Sequence, residues 1–365
     1  DPFIGEKILR EGKADFIALG RRLLADPELP NKIASGRLED IAPCTACLGC
    51  IERIYITHEP VTCRVNAALG KEREYEIKAA KKKKRVMVVG GGPAGLEAAR
   101  VAALRRHEVV LYEREHSLGG ATRLAGLVKG LEIEDLVGLT RYLKTQIGKL
   151  GVRVRLGKEV NLAVVEEIKP DVVILATGGI PADPEIAGIN RGNVVSTPDI
   201  YRMVRTYLRF FGARGLRWLT RFWMPVGKRV VIIGGGIQGC ELAEFLVKRG
   251  RKVTIVEASD ELGTEMASYH KIALLRWLTK KGAVWFTGVK CEEITDKGLT
   301  IITKEGERRT IEADTIVPAI PLRPNTELFQ ALEGKVPEIY PIGDCREPHL
   351  ILEAIADGSR IGRAI

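Results

Sequence analysis

A chain of 365 residues, 45% hydrophobic and 28% charged, has room for two or three domains of about 150 residues and a sizeable core. Its formal net charge of +10 reads most simply as a lysine-rich solvated surface, with attraction of anionic ligands as the functional alternative. No apolar run approaches the about 20 residues of a membrane span, and no motif for nucleic acid is present, so both partners are set aside.

The chain begins at Asp1, not Met, and no signal peptide is visible, so a fragment or processed chain is expected. Seven cysteines, four of them grouped, do not suit a secreted disulfide framework. They suggest a reducing, cytoplasmic location and a metal centre.

Residues 1–40 read as an end-piece. ADFIALG, Ala14–Gly20, predicts a buried strand; Arg21 and Arg22 follow, and Asp26-Pro27 opens a helix to about Ser35. One strand with one or two helices cannot close a core. This piece is expected to pack on the next domain or on something absent.

Residues 41–75 carry Cys44, Cys47, Cys50 and Cys63 in the spacing C-x2-C-x2-C-x12-C. Three thiolates within one short loop suit a wrapped cluster, with the fourth closing it from a distance. Zinc sites more often come as two C-x2-C pairs. The spacing favours iron–sulfur over zinc, and inert cysteine is the plainest alternative. His58 lies between the third and fourth cysteines and reads as a solvated loop side chain.

A linker over 76–84 ends in four lysines. The run VMVVGGGPAG follows, carrying Gly90-x-Gly92-x-x-Gly95, and Glu113 stands 18 residues beyond Gly95 at the end of VVLYE. Strand, glycine turn, helix and terminal acid make a dinucleotide fingerprint. The first glycine permits the tight turn, the second lets a pyrophosphate approach the backbone, and the third lets helix and strand touch. The helix N-terminus offers its partial positive charge to the phosphates. Then come Gly119-Gly120, a helical stretch over 131–151, and the buried strand DVVILATGG.

Residues 196–226 read as an insertion. Arginines 202, 205, 209, 214, 217 and 221 recur at helical spacing among aromatic and aliphatic residues. An amphipathic helix pair over a domain joint is the plainer reading. An interface in a homo-oligomer is the alternative, ahead of a membrane-surface or phosphate-binding role.

Residues 227–320 repeat the fingerprint. Gly234, Gly236 and Gly239 are followed, again after 18 residues, by Glu257. KGLTIITKEGERRTIEADTIVPAI predicts a hairpin and a closing strand. Residues 321–365 return as a strand, Gly343-Asp344 and a final helix. The expected fold class is therefore α/β, with two interleaved Rossmann-like nucleotide-binding domains.

Taken together, these motifs resemble the C-terminal half of iron–sulfur flavoproteins of the Old Yellow Enzyme superfamily. That group includes 2,4-dienoyl-CoA reductase, 2-enoate reductase, bile-acid-inducible reductases and trimethylamine dehydrogenase. GRRLLADPELPNK is similar to the end of an FMN-binding TIM barrel, and PCTACLGC…C to a 4Fe-4S loop. VVGGGPAGLEAA, LATGG and IYPIGDC are similar to an FAD domain, and VVIIGGGIQGCELA to an NAD(P)H domain.

The resemblance implies a TIM-barrel remnant over 1–40 and a cluster loop over 41–75. An FAD domain follows over 76–195 and 321–365, with an NAD(H) domain over 227–320. Cys44, Cys47, Cys50 and Cys63 would ligate the 4Fe-4S cluster. Gly90, Gly92 and Gly95 would take the FAD pyrophosphate and Glu113 its ribose. Asp344 would hold the FAD ribityl–phosphate region, Thr177 and Gly343 belong to the matched FAD segments, and Gly120 is the further glycine expected at the FAD. Gly234, Gly236, Gly239 and Glu257 would bind NADH, and Arg21 matches an arginine that reaches FMN phosphate in a whole barrel.

The implied activity carries electrons from NADH through FAD and the cluster to FMN, which would reduce an activated C=C bond of an enoyl-CoA or enoate. FMN and substrate would sit in barrel strands absent here, and no catalytic side chain is assigned. Ala121 stands where the family usually has Gln, and Ile320-Pro321 where a glycine is common. Rival readings are a disulfide reductase, which lacks its cysteine pair here, an amine dehydrogenase with an adenine nucleotide in the second unit, and a non-catalytic electron-transfer subunit.

Overall fold

The structure, a computed structural model, describes residues 2–129, 134–182, 184–196, 199, 206–207, 215, 218–220, 224 and 226–365. The chain lays down β1 (Arg85–Val89), β2 (Glu108–Glu113), β3 (Arg153–Leu156) and β4 (Val172–Leu175). It continues through β5 (Ile180–Pro181), β6 (Arg229–Ile233), β7 (Lys252–Val256), β8 (Val284–Phe286), β9 (Lys290–Thr295) and β10 (Gly298–Ile302). Then follow β11 (Arg308–Glu312), β12 (Thr315–Pro318), β13 (Leu322–Arg323) and β14 (Glu338–Pro341).

Two compact units result. The first holds residues 1–122, 133–178 and 325–365, the second 123–132 and 179–324. The first unit is built on a five-stranded sheet in the order β14-β4-β1-β2-β3, parallel throughout. Its central strands are buried on both faces. Val86, Met87 and Val88, with Val172, Val173 and Ile174, are at most 1% exposed. That explains why they read as continuous apolar runs rather than alternating ones. Each such side chain contributes about 1.5–3 kcal/mol on burial.

One face is covered by the helix Pro93–Leu104, against which the C-terminal helix Ile351–Ala364 lies. The two helices come very close: a Cβ on Gly358 would stand 2.3 Å from the Ala94 carbonyl oxygen.

The second unit has a four-stranded parallel sheet, β12-β6-β7-β8, and an antiparallel meander, β11-β10-β9. β10 with β11 and then β12 are the hairpin and closing strand expected from 297–320. β5 pairs antiparallel with β13.

Two sequence expectations change here, and a third goes untested. Ala14–Gly20 is not a strand; it is irregular, and Phe16 is 88% exposed. A strand needs a neighbour to satisfy its backbone, and no partner strand for this segment exists among the described residues. Its helix at Leu29–Ala34 does form.

Next, the chain crosses between units at 178/179 and 324/325, not at 195 and 321. Residues 179–195 join the second unit because Val194 bridges Ile316 and the Asn193 side-chain amide donates to the Thr295 carbonyl at 2.9 Å. Finally, all six arginines of the 196–226 insertion lie outside the described residues.

Candidate functional site

Both glycine turns sit where a parallel strand ends and a helix begins, and they share three hydrogen bonds. In the first unit the Gly91 amide donates to Glu113 at 2.8 Å, the Glu115 amide donates to its other oxygen at 2.8 Å, and the Gly119 amide donates to the Gly91 carbonyl at 2.8 Å. In the second the Gly235 amide donates to Glu257 at 2.5 Å, the Ser259 amide to its other oxygen at 2.7 Å, and the Gly263 amide to the Gly235 carbonyl at 2.7 Å.

The first glycine of each turn has a positive φ, 109° at Gly90 and 107° at Gly234. The third is where the helix meets the turn. A Cβ on Gly95 would stand 2.0 Å from the Gly90 carbonyl oxygen, and one on Gly239 would stand 1.9 Å from that of Gly234.

The remaining residues singled out in the first unit gather around the same strand ends. Gly90 abuts Ala176 and Thr177, and Gly120 abuts Gly92. The Cys345 thiol donates to the Leu175 carbonyl at 3.0 Å, two residues before Thr177, and to the Ile342 carbonyl at 3.2 Å, and Gly343 meets Ala94 at the start of the helix. Asp344 follows, accepting from the His349 amide at 3.3 Å, and burial pushes its carboxyl up. The carboxyl ends of β1, β2, β4 and β14 are the place where open parallel sheets bind ligands. Gly92 has no atom within 4 Å of where its Cβ would be, so its side of the cradle is open.

Glu113 is buried and Glu257 half-buried, each bound by its own turn's amides. Burial pushes the Glu257 carboxyl up, but the Ser259 and Gly235 amides outweigh it and hold it below its ordinary range. It stays a carboxylate at neutral pH. Arg251 and Lys252 lie at the opposite end of β7 from Glu257, and the Arg251 guanidinium bonds the Arg249 carbonyl at 3.3 Å.

The cysteine loop belongs to the first unit. Cys44 and Cys63 pack against its core, and all four thiols are free and half-buried. Ala46 and Leu48, flanking Cys47, have φ of 56° and 59°, and His58 has 55°. Such left-handed non-glycine residues carry strain that the surroundings must hold.

Burial pushes the Cys50 and Cys63 thiols up, and the charges of Cys44 and Cys47 add to it. The Ile51 amide aims at Cys50, and the Val65 and Asn66 amides at Cys63. Arg21 is exposed, and its charge reaches Cys50. Among the described residues no three His, Cys, Asp or Glu groups stand close enough to hold one metal ion. The donor set, four free thiols with amides directed at two of the sulfurs, has the chemistry that holds iron–sulfur clusters.

Two anchors of this loop escaped the sequence. Arg64, next to Cys63, pairs with buried Glu134 at 2.5 Å. Asp26, 3% exposed, accepts from the Ala42 amide and the Lys32 ammonium at 2.7 Å each. Both are long-range pairings that no local pattern announces.

Twin dinucleotide turns on two interleaved α/β units define a two-nucleotide oxidoreductase fold. The model of the pyridine nucleotide-disulphide oxidoreductase family matches residues 84–358, and the chain belongs to that family. Membership makes it an oxidoreductase for a flavin and a pyridine nucleotide.

The chain is 36% identical to the NADH oxidase of Thermoanaerobacter brockii over 366 residues, 99% of this chain and 53% of that protein. It is 33% identical to the cinnamate reductase of Clostridium sporogenes over 369 residues, 100% of this chain and 52% of that protein. A solved 2-naphthoyl-CoA reductase, in complex with 2-naphthoyl-CoA, superposes with a TM-score of 0.89 at 35% identity, covering 100% of this chain and 53% of that one. The chain thus spans about half the length of these relatives. They bear out the resemblance to the C-terminal half of Old Yellow Enzyme-type flavoprotein reductases.

The disulphide in the family's name has no counterpart pair here. Downstream of Gly90 stand only Cys240, Cys291 and Cys345, all free. Burial pushes Cys240 up to about 12 and Cys291 up to about 11. None is a ready thiolate nucleophile. No helix among the described residues is long and apolar enough to cross a membrane.

Proposed function

We propose that this chain is the NADH-oxidising module of an iron–sulfur flavoprotein reductase. The observation that carries the reading is the pair of equivalent nucleotide turns in one chain with a four-thiol loop. The bound groups would supply the redox chemistry: hydride from NADH to FAD, single electrons onward through a 4Fe-4S cluster, and reduction of an activated C=C bond at an FMN barrel beyond this chain.

The chain's own residues bind and orient. Gly90, Gly92 and Gly95 clear the backbone for the FAD pyrophosphate, and Glu113 stands at the ribose position. Gly120, Thr177, Gly343 and Asp344 line the same strand ends. Gly234, Gly236, Gly239 and Glu257 do the equivalent for NADH. Cys44, Cys47, Cys50 and Cys63 would hold the cluster, with Arg21 offering charge beside it. An enoyl-CoA or enoate is the substrate class this reading assigns to the whole enzyme, in line with the cinnamate and naphthoyl-CoA reductases among its relatives.

The chain alone should therefore bind FAD and reduce ferricyanide or a tetrazolium dye with NADH. It should bind no FMN and reduce no enoyl-CoA or enoate, because an FMN barrel closes only with its full ring of strands. Flavin chromatography on denatured protein and the two assays check this. Substrate reduction by the isolated chain would show the active site to be misplaced. FAD-replete protein without dye reduction would favour the amine-dehydrogenase reading.

NADH should be preferred to NADPH. The Glu257 carboxylate, charged at neutral pH, accepts from ribose hydroxyls and repels a 2′-phosphate. A preference of about tenfold in kcat/KM, about 1.4 kcal/mol, is expected. Glu257→Ala should shrink it, and a clear NADPH preference in the parent would refute this role for Glu257.

A further inference from the structure

The two turns differ in what faces the start of the helix. Counting from each terminal acid, the eighth residue is Ala121 in the first unit and Glu265 in the second. The Glu265 carboxylate accepts from the Ile237 amide at 3.1 Å, at the first turn of the helix Ile237–Val247. A Cβ on Gly236 would stand 3.3 Å from it, whereas the equivalent point on Gly92 is open. Glu265 itself is exposed, so its side chain is free to swing outward. The first unit has Pro93 where the second has Ile237. Proline has no amide to offer a carboxylate at that position.

We propose that Glu265 competes with the pyrophosphate for the helix end of the second unit and so sets how readily the dinucleotide leaves. A carboxylate there satisfies an orphan amide and the positive end of the helix. An incoming pyrophosphate uses the same donors and carries the same charge, so Glu265 must move aside. Among the described residues the first unit shows no such competitor, and it retains its nucleotide. One side chain thus separates a resident nucleotide from an exchanging one.

This rests on the second unit being a dinucleotide site, and the test separates the two ideas. Dissociation constants are measured on the full chain for NADH, for ADP-ribose, which keeps the pyrophosphate, and for adenosine, which lacks it. Glu265→Ala should bind NADH and ADP-ribose roughly three- to tenfold more tightly, with adenosine unchanged. Glu265→Gln, which keeps an acceptor but loses the charge, should fall between. Without nucleotide, Glu265→Ala should melt no higher than the parent. If the parent binds ADP-ribose and Glu265→Ala binds it no more tightly, Glu265 is only a helix cap and the proposal fails. Equal tightening of adenosine would overturn it too. If the parent binds neither NADH nor ADP-ribose, the dinucleotide reading fails, and this proposal with it.

Discussion

Protein carrying Gly95→Ala is expected to purify without flavin and to melt well below the parent. Protein carrying Gly92→Val is expected to lose flavin while melting like the flavin-free parent. The contrast follows from what each new side chain meets. At Gly95 a Cβ falls 2.0 Å from a backbone carbonyl oxygen and 3.1 Å from the Ala176 Cβ. Neither atom is the end of a flexible side chain, so strand and helix must part. Forcing that separation costs about 3 kcal/mol, a large share of the about 5–15 kcal/mol that holds a domain together.

At Gly92 the backbone is extended, with φ −76° and ψ −177°, which valine adopts without strain. Its side chain enters open space, the space a pyrophosphate would need. Flavin absorbance and thermal melting on the two variants, with flavin-free parent as reference, check both halves. Flavin retained by Gly92→Val would show that the pyrophosphate lies elsewhere. In the second unit Gly239→Ala should lose NADH binding by the Gly95 route, since its Cβ falls 1.9 Å from the Gly234 carbonyl oxygen, whereas a side chain on Gly236 would first meet the Glu265 carboxylate.

Much of this arrangement is legible in the sequence because the constraints are local. Three glycines and an acid at fixed spacing dictate strand, turn and helix, since the first and third glycines answer contacts made within the same unit and the acid binds the turn's own amides. The buried runs at Val86–Val89 and Val172–Leu175 announce central parallel strands for the same reason.

What stayed hidden depends on partners far along the chain. Phe16 and Ile17 look like core residues, but an apolar run does not say whether a neighbouring strand exists. Residues 179–195 follow the first unit in sequence, but bridges to Glu293 and Ile316 draw them to the second. Glu265 looks like any acid in a polar turn. Its importance emerges only when the Ile237 amide is found beneath it, and a proline at the matching position has no such amide.

Anaerobically purified protein is expected to carry about four iron and four sulfide per chain, and Cys47→Ala to lose both while keeping its flavin. The backbone on either side of Cys47 is left-handed at Ala46 and Leu48, and each such residue costs of order 1–3 kcal/mol. A loop with no ligand to hold would relax that strain. Cys50 and Cys63 each stand within reach of the charges of Cys44 and Cys47, and burial keeps Cys50 and Cys63 protonated. Ligand binding would turn them into thiolates and offset both their burial and their mutual repulsion. Removing Cys47 takes one ligand from the centre of the loop and leaves Gly90, Gly92, Gly95 and Glu113 untouched. Iron and acid-labile sulfide analysis, with flavin content on the same sample, reads the two losses separately. Cys291→Ala, remote from the loop in sequence and in the second unit, should leave iron and sulfide at the parent's level. Stoichiometric zinc without sulfide in the parent, or iron retained in full by Cys47→Ala, would overturn the cluster assignment. The nucleotide sites, built on separate residues, would stand.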